Sequence, residues 1–259
     1  MTHAIHVEGL TLGYDRKPVI ADLTLSIPAA RFTALIGPNG CGKSTLLKSV
    51  IRTMPPRAGR IDVMGQPLNA MSARALARQV SFLPQVLPVP EGITVRQLVG
   101  YGRSPHNNLW GRIRGTDRAK VDEVLARLDI TDLAGRMVDG LSGGQRQRVW
   151  LAMVLAQNTD IVLLDEPTTF LDINHQVELL RLARDLVATG KTVVAVLHDL
   201  NQAFRYADHI VMLRNGGLSG CGSPDKMATT PMLREVFSID ACIHPDPECG
   251  RPMVIVRKP

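Results

Sequence analysis

Residues 37–44 read Gly37-Pro38-Asn39-Gly40-Cys41-Gly42-Lys43-Ser44, a match to G-x-x-x-x-G-K-[ST]. Glycines at these steps let the chain wrap closely, so that successive backbone N–H groups face one anion. In such a loop Lys43 reaches the β- and γ-phosphates of a nucleotide, and the Ser44 hydroxyl completes a Mg2+ shell. A second chemical group stands far downstream at Asp165-Glu166-Pro167. Asp165 is suited to bind Mg2+ through water. Glu166, turned differently, can polarise an attacking water as general base. Gln85 and His198 each stand just past an apolar run, where polar side chains meet ligands in α/β sheets. Alone, a histidine there reads as structural; beside Lys43, Glu166 and Gln85 it reads as a contact to the γ-phosphate.

These residues need strands that end at one edge. Phe32–Ile36 is a short apolar strand before the loop, and Leu46, Leu47 and Val50 mark a helix after it. The positive end of that helix adds to the anion nest. Three strand-like runs, HAIHV, LTLGY and LTLSI, come first, with a polar turn from Asp15 to Pro18. Tyr14 closes the second run; it could stack on a purine base or half-bury in its strand. Arg60–Met64 and Val80–Leu83 read as further strands, the latter leading to Gln85. Ile161–Leu164 then forms a buried parallel-type strand before the two acids, and Thr192–Leu197 another before His198.

Leu83 and Ile161 are about 78 residues apart, where a simple crossover needs only about 30. Helical signals fill the interval. Thr94 with Gln97 and Ser142 with Gln145 are capping boxes, and Val121, Val124, Leu125 and Leu128 share one helix face. Residues 86–157 therefore read as a helical lobe inserted into a nucleotide-binding core. Arg112, Arg114, Arg118 and Lys120 read as its solvated loop. Further on, Ile173–Ala188 reads as a helix with Val177, Leu180, Leu182, Ala183 and Leu186 inward. An Asn215-Gly216 hairpin follows, then two short helices begun by Ser223-Pro224 and Thr230-Pro231, then a strand pair within 239–258.

The 259 residues suffice for one large α/β domain or one domain with an inserted lobe. A formal charge of +6 suits phosphate ligands and an anionic membrane face. Aromatic content of 4% argues against a base-stacking nucleic-acid surface. No run approaches the roughly 18 apolar residues of a membrane span. MTHAIHVEGL lacks the regions of a signal peptide, which predicts cytoplasmic residence with free thiols at Cys41, Cys221, Cys242 and Cys249. His244 and Cys249 could ligate a metal, but HPDPEC reads more simply as a proline-rich turn.

Leu141-Ser142-Gly143-Gly144-Gln145 is a helix start with two glycines, hence a second place for a phosphate. With it the chain resembles the ATP-binding subunit of ABC transporters over essentially its full length. The motifs stand in the family's order: the cradle Gly37–Thr45, Gln85, LSGGQ, the LLDEP strand, Leu171-Asp172 and His198. Tyr14 matches the family's base-stacking aromatic.

The resemblance implies an α/β fold: a P-loop NTPase core (1–85 and 158–259), an N-terminal antiparallel β subdomain and an inserted α-helical subdomain (86–157). It implies ATP and Mg2+ as cofactors, bound by Gly37, Pro38, Asn39, Gly40, Cys41, Gly42, Lys43, Ser44 and Thr45, with Gln85 and Asp165 serving the metal. Ser142, Gly143, Gly144 and Gln145 would bind the ATP held by a second copy, with Asp172 at the seam. Integral-membrane permease subunits would be direct partners and an extracytoplasmic solute-binding protein an indirect one, with no nucleic acid. The place of work would be the cytoplasmic side of the inner membrane.

Residues 167–176, VAVLHDLNQ at 194–202 and the segment around Tyr101-Gly102-Arg103 resemble iron-chelate importers, the ferric siderophore and vitamin B12 group. The tail FSIDACIHPDPECGRPM resembles ferric citrate importer ATPases. Cys41 stands where the family has varied small residues; its alkylation is expected to block phosphate binding. Exporters commonly carry fused membrane helices, ribosome- or DNA-directed relatives carry two cassettes or coiled-coil arms, and kinases lack LSGGQ.

Overall fold

The computed structural model describes residues 3–14, 17–106, 115–169 and 171–257. The chain opens with two long strands, β1 (His3–Tyr14) and β2 (Lys17–Pro28), paired antiparallel. HAIHV and LTLGY were expected as separate strands, but they are one. Gly9 takes φ 59° and the register with β2 shifts between Val7 and Leu10, so a bulge bends the strand without ending it. Of the expected turn, Asp15 and Arg16 lie outside the described residues, while Lys17 and Pro18 belong to β2.

Next come β3 (Phe32–Ile36), α1 (Lys43–Val50), β4 (Ala58–Val63), the two-residue β5 (Gln66–Pro67), α2 (Ala73–Gln79) and β6 (Val80–Leu83). The wide interval after β6 holds α3 (Val95–Tyr101), α4 (Gly115–Arg127) and α5 (Gly143–Ala156). Both capping boxes form, Thr94 with Gln97 and Ser142 with Gln145. Arg118 and Lys120 are not in a loop. They lie on α4, Arg118 exposed and Lys120 half-buried, in a helix that buries Val121, Val124 and Leu125, and Lys120 pairs with Glu123 at 2.6 Å one turn on. Arg112 and Arg114 lie outside the described residues.

The chain continues through β7 (Ile161–Leu164), α6 (Ile173–Ala188), β8 (Thr192–Val196) and α7 (Leu200–Tyr206). In α6 Leu179, Leu180, Ala183 and Leu186 are buried, whereas Val177 and Leu182 are only half-buried. A hairpin of β9 (His209–Arg214) and β10 (Gly217–Gly222) turns at Asn215 and Gly216, with φ 50° and 78°. Both values are positive, the requirement of a primed two-residue turn.

Then follow α8 (Pro224–Met227), α9 (Thr230–Phe237) and the β11 (Ala241–Pro245)–β12 (Pro252–Val256) pair. The cap of α9 is Thr229, not Thr230: Thr229 accepts from the Met232 N–H at 3.3 Å, while Thr230 donates to the Ala241 carbonyl at 2.9 Å. Ser223 makes no side-chain cap bond. HPDPEC forms a tight turn in which Asp246 Oδ1 accepts from the N–H of Glu248 at 2.8 Å.

Three sheets result among the described residues: β2-β1-β4-β5, the larger β10-β9-β3-β8-β7-β6, and the small β11-β12 pair. From β9 to β6 the neighbours are parallel, and every residue of β3, β7 and β8 is buried. Apolar cover on both faces explains their unbroken hydrophobic runs. The face toward the β2-β1-β4-β5 sheet holds Leu35, Leu163 and Val194 with Leu46 and Leu47 of α1. The opposite face packs on α3 to α7. Leu83 is paired with Leu164, Leu164 with Ala195, and Leu35 with Val196, so four strands end nearly level at one edge.

Candidate functional site

That edge gathers the chemistry. Beyond β3 comes the glycine loop, beyond β6 Gln85, beyond β7 Asp165 and Glu166, and beyond β8 His198. Ligands of parallel sheets bind outside strand C-termini for this reason. Tyr14, Asn39, Lys43, Gln85, Glu166 and His198 line one cleft of about 450 Å3, with Gly40, Gly42, Ser44, Thr45 and Val19. Tyr14 is half exposed at the mouth.

The loop is shaped by sterics. Gly37 has φ 150°, and a Cβ there would lie 2.1 Å from the Leu213 carbonyl oxygen, so β9 leaves no room for a side chain. Gly42, at φ 104°, is the residue just before α1. Lys43 is buried and its Nζ donates to the carbonyls of Gly37 at 2.7 Å and Pro38 at 3.0 Å. The ammonium thus braces the loop it serves. The Cys41 side chain is buried behind the loop, its Sγ 3.8 Å from Lys43 Nζ. Only 3% of it is exposed, and it packs in the core between the sheets while its N–H bonds the Pro38 carbonyl at 3.3 Å. Residue 41 therefore contributes backbone, and its thiol is shielded from reagents in the folded chain.

Asp165 and Glu166 diverge as expected. Asp165 is 1% exposed and accepts from Ser44 Oγ at 2.7 Å. Burial raises its carboxyl above the ordinary 3.8; the Ser44 bond works against this, and the charge of Glu166 adds to it. A buried carboxylate beside a hydroxyl and a phosphate loop suits a small hard cation that keeps waters and shares phosphate oxygens. Among the described residues no cluster of three His, Cys, Asp or Glu could hold a metal by itself.

Glu166 sits at φ 52° and turns back into the cleft. Its Oε2 accepts from Gln85 Nε2 at 2.7 Å, and His198 Nε2 lies 2.7 Å from its Oε1. Thr169 Oγ1 adds a longer bond of 3.4 Å, a contact the sequence reading missed. Asp172 lies apart, exposed, capping α6 by accepting from the His175 N–H at 2.9 Å. That bond first, with the His175 ring, holds its carboxyl below the usual range.

Ser142, Gly143, Gly144 and Gln145 do not line the cleft of their own chain. They form the start of α5, with Ser142 and Gly143 exposed. A Cβ on Gly143 would meet nothing within 4 Å, and one on Gly144 only Leu171 at 3.9 Å. Gln147, on the same helix, was also missed. It is buried and donates to the Pro167 carbonyl next to Glu166. Its signal was a polar residue on the inward face of an amphipathic helix. No helix among the described residues is long and apolar enough to cross a membrane.

A family model described as "ABC transporter" matches residues 20–169. The Achromobactin transport ATP-binding protein CbrD of Dickeya dadantii is 47% identical, covering 97% of this chain and 94% of that protein. The Ferric enterobactin transport ATP-binding protein FepC of Escherichia coli is also 47% identical, covering 96% and 92%. Among solved structures, a metal-chelate type ABC transporter in an inward-facing conformation superposes with a TM-score of 0.84 at 29% identity, covering 100% and 98%. The ATP-binding cassette MJ0796, a dimer in a post-hydrolysis state with ADP and Pi, gives 0.76 at 27% identity, covering 85% and 98%. Sequence, fold and site geometry converge: the chain belongs to the ABC transporter family, as one of its ATP-binding subunits.

Proposed function

We propose that this chain is the ATP-hydrolysing subunit of an importer for ferric siderophores, acting as a pair of copies on membrane permease subunits at the cytoplasmic face. The observation that supports it most is Glu166, set between Gln85 and His198 at the mouth of a phosphate loop. The relatives named for achromobactin and ferric enterobactin transport supply the solute class. The likeness of the tail to ferric citrate importer ATPases makes ferric citrate the first chelate to try.

In this reading Tyr14 stacks on the base, and the loop N–H groups with Lys43 hold the triphosphate. Ser44 and Asp165, with Gln85, would hold Mg2+, which neutralises charge on the phosphates when bound. Glu166 takes the proton of the attacking water, a contribution of about 10²–10⁴ in rate. His198 reads the γ-phosphate.

The open space over Gly143 and Gly144 favours a second copy as the occupant. Without side chains at these first two helical positions, another backbone or a phosphate can approach the helix start closely. Residues 86–157 then serve as the lobe that carries this half-site to the partner's ATP. Closed and open pairs differ in free energy, and that difference moves the permease.

The test is to purify the chain with its permease subunits and measure ATP hydrolysis with binding proteins loaded with different solutes. Stimulation by a ferric chelate is expected; stimulation by cobalamin alone would reassign the solute.

A further inference from the structure

Between Glu166 and Asp172, glutamines from two helices grip backbone carbonyls, and a glutamine from a third helix holds one of those two. Gln147 of α5 donates to Pro167. Gln176, on the first turn of α6, folds back so that Nε2 donates to the carbonyls of Leu171 at 2.9 Å and Thr168 at 3.3 Å. Its Oε1 in turn accepts from Gln202 Nε2 at 2.7 Å. Gln202 belongs to α7, which begins two residues after His198 and is capped by Asp199. Gln176 and Gln202 are both half-buried, and the amide of Gln176 is used at both ends.

We propose that Gln202 and Gln176 form a positioning relay, tying the helix behind His198 to the segment behind Glu166 and Asp172. The pair fixes the distance between a residue on β8's end and the base on β7's end, which strand pairing alone does not set past the last paired residues. Neither glutamine lines the nucleotide cleft, so the relay acts on turnover and leaves ATP binding alone. This rests on the ATPase reading above.

The test is a double-mutant cycle in the permease complex with Gln176→Met, Gln202→Met and both, since methionine keeps the length and removes the amide. Each single change is expected to lower kcat about tenfold, as small misplacements at a reacting centre do, with KM for ATP within about twofold. The double variant is expected to be no slower than the slower single one, because the same bond is lost. Gln202→Glu is the second measurement: its carboxylate draws Gln176 Nε2 away from Leu171, and the same fall in kcat is expected. Unchanged kcat, losses that multiply, or KM rising as kcat falls would overturn the relay. A wild-type complex without ATPase activity would remove the parent reading with it, whereas an active wild type with unaltered variants removes the relay alone.

Discussion

His198 Nε2 lies 2.7 Å from Oε1 of Glu166, while the Gln85 amide occupies Oε2. With both oxygens engaged, the carboxylate is held still, and Oε1 keeps a lone pair for a water. Glu166→Gln keeps the shape and removes the base. It should bind ATP, lose about 10²–10⁴ in turnover and accumulate as an ATP-dependent dimer on gel filtration. Turnover near wild type would take Glu166 out of the role.

Lys43→Ala removes a buried charge that donates to Gly37 and Pro38. Charge-assisted bonds contribute roughly 1.5–3 kcal/mol, so nucleotide affinity should fall at least about tenfold. Calorimetric titration with ATP measures it, and an unchanged Kd would show that the backbone nest alone suffices.

Asp165 couples stability to pH. Its folded carboxyl titrates above the unfolded 3.8, so its favourable contribution is complete below that value and is lost as pH rises through the folded one. At neutral pH the ionised group therefore opposes folding until a cation answers it. Asp165→Asn without ligand should melt higher than wild type near pH 7, converge with it toward about pH 4, and lose Mg2+-dependent hydrolysis. Thermal melts across that range decide the sign; a lower melting point at neutral pH would refute it.

Cys41 should resist alkylation in the native chain, while the exposed Cys221 and Cys249 react freely. A difference on the order of a hundredfold in labelling rate is expected, since reaction needs local opening. Peptide mass spectrometry reads it, and equal rates would mean that the loop opens often.

Much of this was legible because local rules and the global fold agree. Asp172 caps α6, and its apolar spacing gave the helix from Ile173 to Ala188 with both ends right. The strand before Asp165 declared itself by four buried residues in a row. What stayed hidden depends on packing and on the path of the chain. Gly9 looks like a strand break, yet Thr24 Oγ1 accepts its N–H at 3.0 Å and the strand runs on. Arg118 looks like loop, yet it lies in a helix that buries Val121 and Val124. The burial of the Cys41 thiol and the grip of Gln176 on Leu171 need the fold to be seen at all.

Glu166 occupies a left-handed backbone position that glycine or asparagine would take more comfortably. Such a residue costs about 1–3 kcal/mol and persists only where its surroundings insist on it. Selection for hydrolysis and selection for a robust polypeptide therefore pull this site in opposite directions. In a lineage released from pumping, the acid should decay before the glycine loop does, leaving a chain that still grips nucleotide but no longer spends it.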